Sequence, residues 1–184
     1  MPDINGKTLL VGLLATPIRH SNSPRMQSEA FAMTGVNCVQ LAFEVGNEQL
    51  EDAVKGLRAL GAVGFNVSMP NKRMVTQYLD ELSTAAALSG SVNTVVNDNG
   101  RLIGHNTDGY GFWESLRRNN IEFVSKKATL VGPGGGALDV GVFVDEHRSV
   151  ECGHCVTEAV EPRAERRTFS TRTSPCAART GATC

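Results

Sequence analysis

The sequence predicts an α/β protein with a mostly parallel sheet, on three observations. Short apolar runs alternate along the chain with segments whose apolar residues recur at helical spacing. Several strand-like runs end in polar stretches where a helical pattern begins, the place at which an open α/β sheet binds ligands. Near residue 132 a strand-like run passes into Gly132-Pro133-Gly134-Gly135-Gly136-Ala137, a glycine-rich turn. No internal repeat is visible.

Thr8-Leu9-Leu10-Val11-Gly12-Leu13-Leu14 is a continuous apolar run, as a strand buried on both faces requires. Ser21-Asn22-Ser23-Pro24 reads as a helix start. Ser23 is expected as N-cap and Pro24 as first helical residue, because proline's missing N–H needs no partner there. This helix is expected to carry Met26, Ala30 and Met33 inward and to stop at Gly35. Val39, Leu41, Phe43 and Val45 alternate as a second strand. Leu50, Ala53, Val54, Leu57 and Leu60 share one helical face, ended by Gly61. Val63, Phe65 and Val67 form a third strand, which runs into Asn66-Val67-Ser68-Met69-Pro70-Asn71-Lys72 and is stopped by Pro70. Met74, Val75, Tyr78, Leu79 and Leu82 are expected to continue helically, and Thr84-Ala85-Ala86-Ala87-Leu88 as a further short helix. Thr94-Val95-Val96 and Arg101-Leu102-Ile103 flank Asn97-Asp98-Asn99-Gly100, a hairpin signal. Tyr110, Trp113 and Leu116 mark a helix beginning near Asp108, and Ala128-Thr129-Leu130-Val131 is one more strand.

The 184 residues suffice for one domain, or for one small domain and part of another. A net charge of −1 lacks the basic excess that a nucleic-acid footprint needs. No apolar run approaches the roughly 20 residues of a membrane span. The start, Met1-Pro2-Asp3-Ile4-Asn5-Gly6-Lys7, lacks the charged-then-apolar order of a signal peptide, so a cytoplasmic setting is expected. From Asp139 to Cys184 there is no Leu, Ile or Lys, although Leu and Ile occur nineteen times in residues 1–138. So few apolar side chains cannot offset the entropy of ordering, and 139–184 is expected to be an aberrant, disordered tail. Out-of-frame translation, or a junction that replaced the original C-terminus, would produce such a change.

Four of the five cysteines fall in that tail, while Cys38 lies in an apolar run. An odd count without a secretion signal argues against a disulfide framework. Cys152-Gly153-His154-Cys155 has the C-x-x-C form of disulfide exchangers, but no thioredoxin-like strand and helix surround it. Cys176 and Cys184 stand at no zinc-site spacing, and no metal is predicted.

Taken alone, Lys72 fits a first-turn surface lysine, Ser23 a plain cap, Asn93 a turn residue and Thr107 an N-cap. The motifs occur together, however. Pro17-Ile18-Arg19-His20-Ser21-Asn22-Ser23-Pro24, Asn66-Val67-Ser68-Met69-Pro70-Asn71-Lys72, Ser91-Val92-Asn93-Thr94 and Asn106-Thr107-Asp108-Gly109 stand in the order and spacing of the shikimate dehydrogenase family. The chain resembles that family from residue 8 to about residue 137. Ser68-Met69-Pro70-Asn71-Lys72 is similar to its quinate/shikimate dehydrogenase branch, since the dedicated biosynthetic enzymes usually carry Thr-Val-Pro in place of Ser-Met-Pro.

The resemblance implies a substrate-binding α/β domain over 1–106. A connecting helix with the first strand and glycine-rich turn of a Rossmann-type dinucleotide-binding domain follows over 107–138, and that domain is incomplete. It implies an oxidoreductase passing hydride between NAD or NADP and shikimate/3-dehydroshikimate, or quinate/3-dehydroquinate, the cofactor doing the hydride chemistry. Lys72 resembles the family's general acid/base, and Asp108 its partner, which shares the substrate hydroxyl and holds the ammonium. Burial lowers a lysine's pKa and an adjacent carboxylate raises it, so such a pair can be poised for proton transfer. Ser21 and Ser23 resemble the donors to the substrate carboxylate, where a helix N-terminus favours an anion. Ser68, Asn93 and Thr107 resemble the groups that bond the ring hydroxyls.

Gly132, Pro133, Gly134, Gly135, Gly136 and Ala137 fit the G-x-G-x-x-A cofactor fingerprint and follow a strand, as its context demands. Beyond them no helical face can be read, nor the family's C-terminal helix that returns to the first domain. Two readings of different class follow: an oxidoreductase by descent, or a truncated, inactive remnant that at most binds shikimate or quinate. A redox or metal protein acting through its cysteines stands third. The expected partner is a small molecule, without nucleic acid or membrane.

Overall fold

The computed structural model describes residues 4–121, 126–131 and 150–156. It divides into two compact units, Met1–Thr107 and Asp108–Cys184. In the first, β1 (Leu9–Ala15) leads to α1 (Ser23–Met33), β2 (Cys38–Glu44), α2 (Leu50–Ala59) and β3 (Gly64–Val67). A 3-10 turn (Met74–Tyr78), β4 (Glu81–Leu82), α3 (Thr84–Ser89), β5 (Thr94–Asp98) and β6 (Arg101–His105) complete it. The six strands form one sheet in the order β2-β1-β3-β5-β6-β4. β1 pairs in parallel with both β2 and β3, and β4 with β6, while β5 is antiparallel to both its neighbours. The α/β fold with a mostly parallel sheet is present as the sequence predicts.

Local chemistry explains the element ends. Asp98 faces Arg101 across a two-residue turn in which Asn99 and Gly100 take φ of 51° and 95°, values that asparagine and glycine tolerate best. Ser83 caps α3, its Oγ accepting from Ala86 N, and Gly90 ends that helix in the left-handed region. One face of α2 buries Leu50, Val54 and Leu57 against Leu14, Phe65 and Val67 of the sheet. Each such side chain contributes about 1.5–3 kcal/mol through burial. Val75, Ala86, Val92, Val95 and Leu102 continue the same core under the far strands.

Several expectations are corrected. α1 begins at Ser23 instead of being capped by it. Asn22 takes the N-cap position without a side-chain bond, and the Ser23 N–H donates to Ser21 Oγ at 3.2 Å. Met26 and Met33 do not point inward but are 59% and 88% exposed, and Ala30 is exposed too. α1 meets the edge strand β2 through a polar side, with Ser28 Oγ accepting from Gln40 N at 3.3 Å. Helical spacing defines a stripe without saying which side of it meets the sheet. Leu60, past the end of α2, is 76% exposed. The helix expected from Met74 to Leu82 is only the 3-10 turn. After it Asp80 N donates to Leu102 O (2.9 Å), and the Asp80 carboxylate accepts from Leu102 N (2.7 Å) and Arg58 Nη2 (2.8 Å). Those tertiary bonds turn the chain into β4 and override helical propagation.

In the second unit α4 (Asp108–Arg118) starts where the sequence predicts. β7 (Lys126–Val131) pairs in parallel with β8 (Val150–Val156), with a register shift between Ala128 and Thr129. Within the stretch 139–184, Val150–Val156 finds a backbone partner in β7. Cys152 to Cys155 lies in that extended strand. The rest of the tail, Cys176 and Cys184 included, lies outside the described residues. Among the described residues no helix is long and apolar enough to cross a membrane.

Candidate functional site

Strand direction alone gathers the polar stretches. β1 and β3 are parallel neighbours, so both finish at one end of the sheet. β5 is antiparallel to β3 and starts at that end, and β6 returns to it. The loops carrying Ser21 and Ser23, Ser68 and Lys72, Asn93, and Asn106 and Thr107 thus all meet the sheet at the same end. Open α/β sheets hold their ligands there.

Main-chain bonds stitch these loops together. Thr16 N donates to Met69 O (3.2 Å) and Ser68 N to Leu14 O (3.0 Å), tying the exits of β1 and β3. Val92 N donates to Lys72 O (2.8 Å) and Val67 N to Asn93 O (2.9 Å), tying β3 to the approach to β5. Asn71 N donates to Ser68 O (2.9 Å), closing the turn that separates Ser68 from Lys72. The Thr16–Pro17 and Met69–Pro70 peptides are both cis. Ser68 and Lys72 are half-buried, as are Ser21, Ser23 and Asn93; Thr107 is exposed.

Two predicted pairs are in direct contact. Ser21 and Ser23 share the N–H to Oγ bond already described. Asn93 Nδ2 donates to Thr107 Oγ1 (2.9 Å), and Thr107 N donates to Asn93 Oδ1 (3.2 Å). Asp108, the next residue, opens α4 in the second unit, where its position in the first turn suits a carboxylate. Gly132, Pro133, Gly134, Gly135, Gly136 and Ala137 lie outside the described residues.

Other polar side chains of the sheet and its loops were given no role by the sequence reading. Gln40 Nε2 donates to Asn66 Oδ1 (2.7 Å), and Asn66 Nδ2 donates to Thr94 Oγ1 (3.2 Å), a polar row laid across the sheet. Asn106 Nδ2 donates to Ser89 Oγ (3.2 Å) and Ser91 O (3.1 Å), fixing the chain just ahead of Thr107. The available signal was a polar residue inside an apolar strand, as at Gln40 between Val39 and Leu41. Cys38 is a buried free thiol, and desolvation pushes its pKa up. A cleft of about 380 Å³ lies elsewhere, between α2 and the 3-10 turn, lined by Val54, Arg58, Tyr78 and Asp80 among others. None of the predicted site residues lines it.

Residues 13–95, which include Ser21, Ser23, Ser68, Lys72 and Asn93, match the shikimate dehydrogenase substrate binding domain. Over 137 residues the chain is 55% identical to the shikimate dehydrogenase (NADP(+)) of Listeria monocytogenes serotype 4b (strain F2365), covering 74% of this chain and 47% of that one. Over this span the chain belongs to the shikimate dehydrogenase family. The shikimate dehydrogenase (NADP(+)) of Streptococcus uberis is 53% identical over 141 residues, 76% of this chain and 48% of the relative. Among solved structures, shikimate 5-dehydrogenase from Listeria monocytogenes in complex with shikimate and NAD aligns with a TM-score of 0.74 at 52% identity, covering 77% of this chain and 49% of that one. The chain spans about half the length of the curated relatives it matches. Thr107 and Asp108 lie beyond the matched family domain.

Proposed function

We propose that this chain carries the carbon-substrate half of an NAD(P)-dependent oxidoreductase acting on shikimate, in a cytoplasmic setting. The observation that supports it best is the gathering of four separate polar loops, each with a family motif, at one end of a parallel-rich sheet. Bound nicotinamide would supply hydride exchange at the ring carbinol. Lys72 Nζ takes the hydroxyl proton as the carbinol becomes a ketone, and returns it in the reverse direction. Asp108 accepts a hydrogen bond from the same hydroxyl and holds the ammonium. Ser21 and Ser23 bind the substrate carboxylate; Ser68, Asn93 and Thr107 bond the remaining hydroxyls. The motif from Ser68 to Lys72 supports quinate as a second substrate. The glycine-rich stretch Gly132 to Ala137 is the proposed approach to the cofactor's pyrophosphate, with NADP favoured by the relatives' names.

A second reading, in which the 184-residue chain binds the acid without turning it over, is favoured by the change of composition after residue 138, where Leu, Ile and Lys cease. Calorimetry with shikimate and quinate, alongside the absorbance of reduced nicotinamide, tests both. Turnover that Lys72→Ala abolishes supports the oxidoreductase, and binding without turnover supports the second reading. If the folded chain shows no binding and no turnover, the proposal fails.

A further inference from the structure

We propose that Asn71 is a positioning residue: its side-chain amide holds the turn bearing Lys72 in register with the loop bearing Ser21 and Ser23. This deepens the reading of Lys72 as the proton carrier and rests on it. β2 and β3 flank β1 and share no strand pairing. Their exits are nevertheless joined, because Asn71 Nδ2 donates to Val45 O at 2.7 Å. Val45 N in turn donates to Ala15 O (3.0 Å), and Thr16 N donates to Met69 O (3.2 Å). With the chain segments Ala15–Thr16 and Met69–Asn71, these three bonds close a ring over the end of β1. Two of them are main-chain bonds that most residues could make. Only the Asn71 bond depends on which side chain is present.

Packing alone does not account for an amide at this point. Asn71 is 0% exposed, and its Oδ1 is buried with no hydrogen-bond partner. Burying an amide with one end unsatisfied costs stability that an apolar side chain of similar volume would not lose. The donor end is what the ring uses. Lys72 follows directly, its carbonyl held by Val92 N. The lysine's backbone is thus clamped from both sides, to the β1 and β2 exits through Asn71 and to the approach to β5 through its own carbonyl. Without the Asn71 bond, the Pro70–Lys72 segment can shift against the Ser21–Ser23 loop.

The test is competitive acylation of Lys72 by acetic anhydride across pH in the 184-residue chain, read by mass spectrometry, together with calorimetric binding of shikimate. Asn71→Leu keeps the volume without polar atoms, and Ser91→Ala, which removes another fully buried polar group, serves as the control. Asn71→Leu is expected to displace the Lys72 profile by about half a pH unit, roughly a threefold change in reactivity, and to weaken shikimate binding about tenfold. Ser91→Ala is expected to leave the Lys72 profile in place. An unchanged profile in folded Asn71→Leu overturns the proposal, and so does an equal displacement in Ser91→Ala. If Asn71→Leu does not fold, Asn71→Ser is measured; loss of fold in both also overturns it, since the amide is then a stability element. The lysine readout needs no shikimate. A displaced profile in a protein that never binds shikimate supports the role of Asn71 and sinks only the substrate reading.

Discussion

At Asn93 the backbone and the side chain do separate work. Its carbonyl accepts from Val67 N and its N–H donates to His105 O, holding the sheet together, while its amide grips Thr107. Thr107→Val keeps the shape and removes only the hydroxyl. We expect shikimate affinity to fall about tenfold, the size of one lost hydrogen bond to a polar ligand. Calorimetry on the folded variant checks it, and unaltered affinity would remove Thr107 from the site. Asn93 and Thr107 were singled out only through the motifs they stand in, since alone they pass for a turn residue and an N-cap. Asn71 was quoted as part of a motif yet not singled out, because its partner, the Val45 carbonyl, lies 26 residues away. Gln40 was hidden by its strand: alternation marks Val39, Leu41 and Phe43, whereas Leu41 is 49% exposed and Gln40 is 2% exposed.

Elements repeat the pattern, with local devices legible and tertiary ones not. The β5–β6 hairpin, the Gly61 stop and the start of α4 follow from turn and cap chemistry in neighbouring residues. β4 did not, because two residues carry no period and Asp80 finds its partners on β6 and α2. α4 supports a pH prediction. Arg117 first, then Arg118, donate to the Glu114 carboxylate and lower its pKa from 4.5 to about 2, against a smaller opposing effect of desolvation. The folded value lies below the unfolded one, so these bonds contribute fully above pH 4.5, and their contribution is lost as pH falls through about 2. The protection of α4 amides, taken relative to their intrinsic exchange rate, should therefore fall across that window in the parent, while Glu114→Gln shows a flatter response. Matching slopes in the two proteins would show that the ion pairs do not support the helix.

For the molecule as a whole, the alternation of strands and helices disclosed the parallel-rich sheet, and motif order disclosed the family. Composition sets 139–184 apart from the rest of the chain, and within it Val150–Val156 pairs in parallel with β7. The convergence of four loops at one end of the sheet carries a consequence for heat resistance. A small acid bonded to several of them at once works as a removable crosslink that exists only while the strands are in register. The melting temperature should then climb with the logarithm of shikimate concentration, by the equivalent of about 2.7 kcal/mol at a hundredfold excess over Kd. A melting curve indifferent to both shikimate and quinate would mean that the loops do not grip one molecule in concert. A rising one would make thermal endurance a gauge of the ligand, readable with no cofactor present.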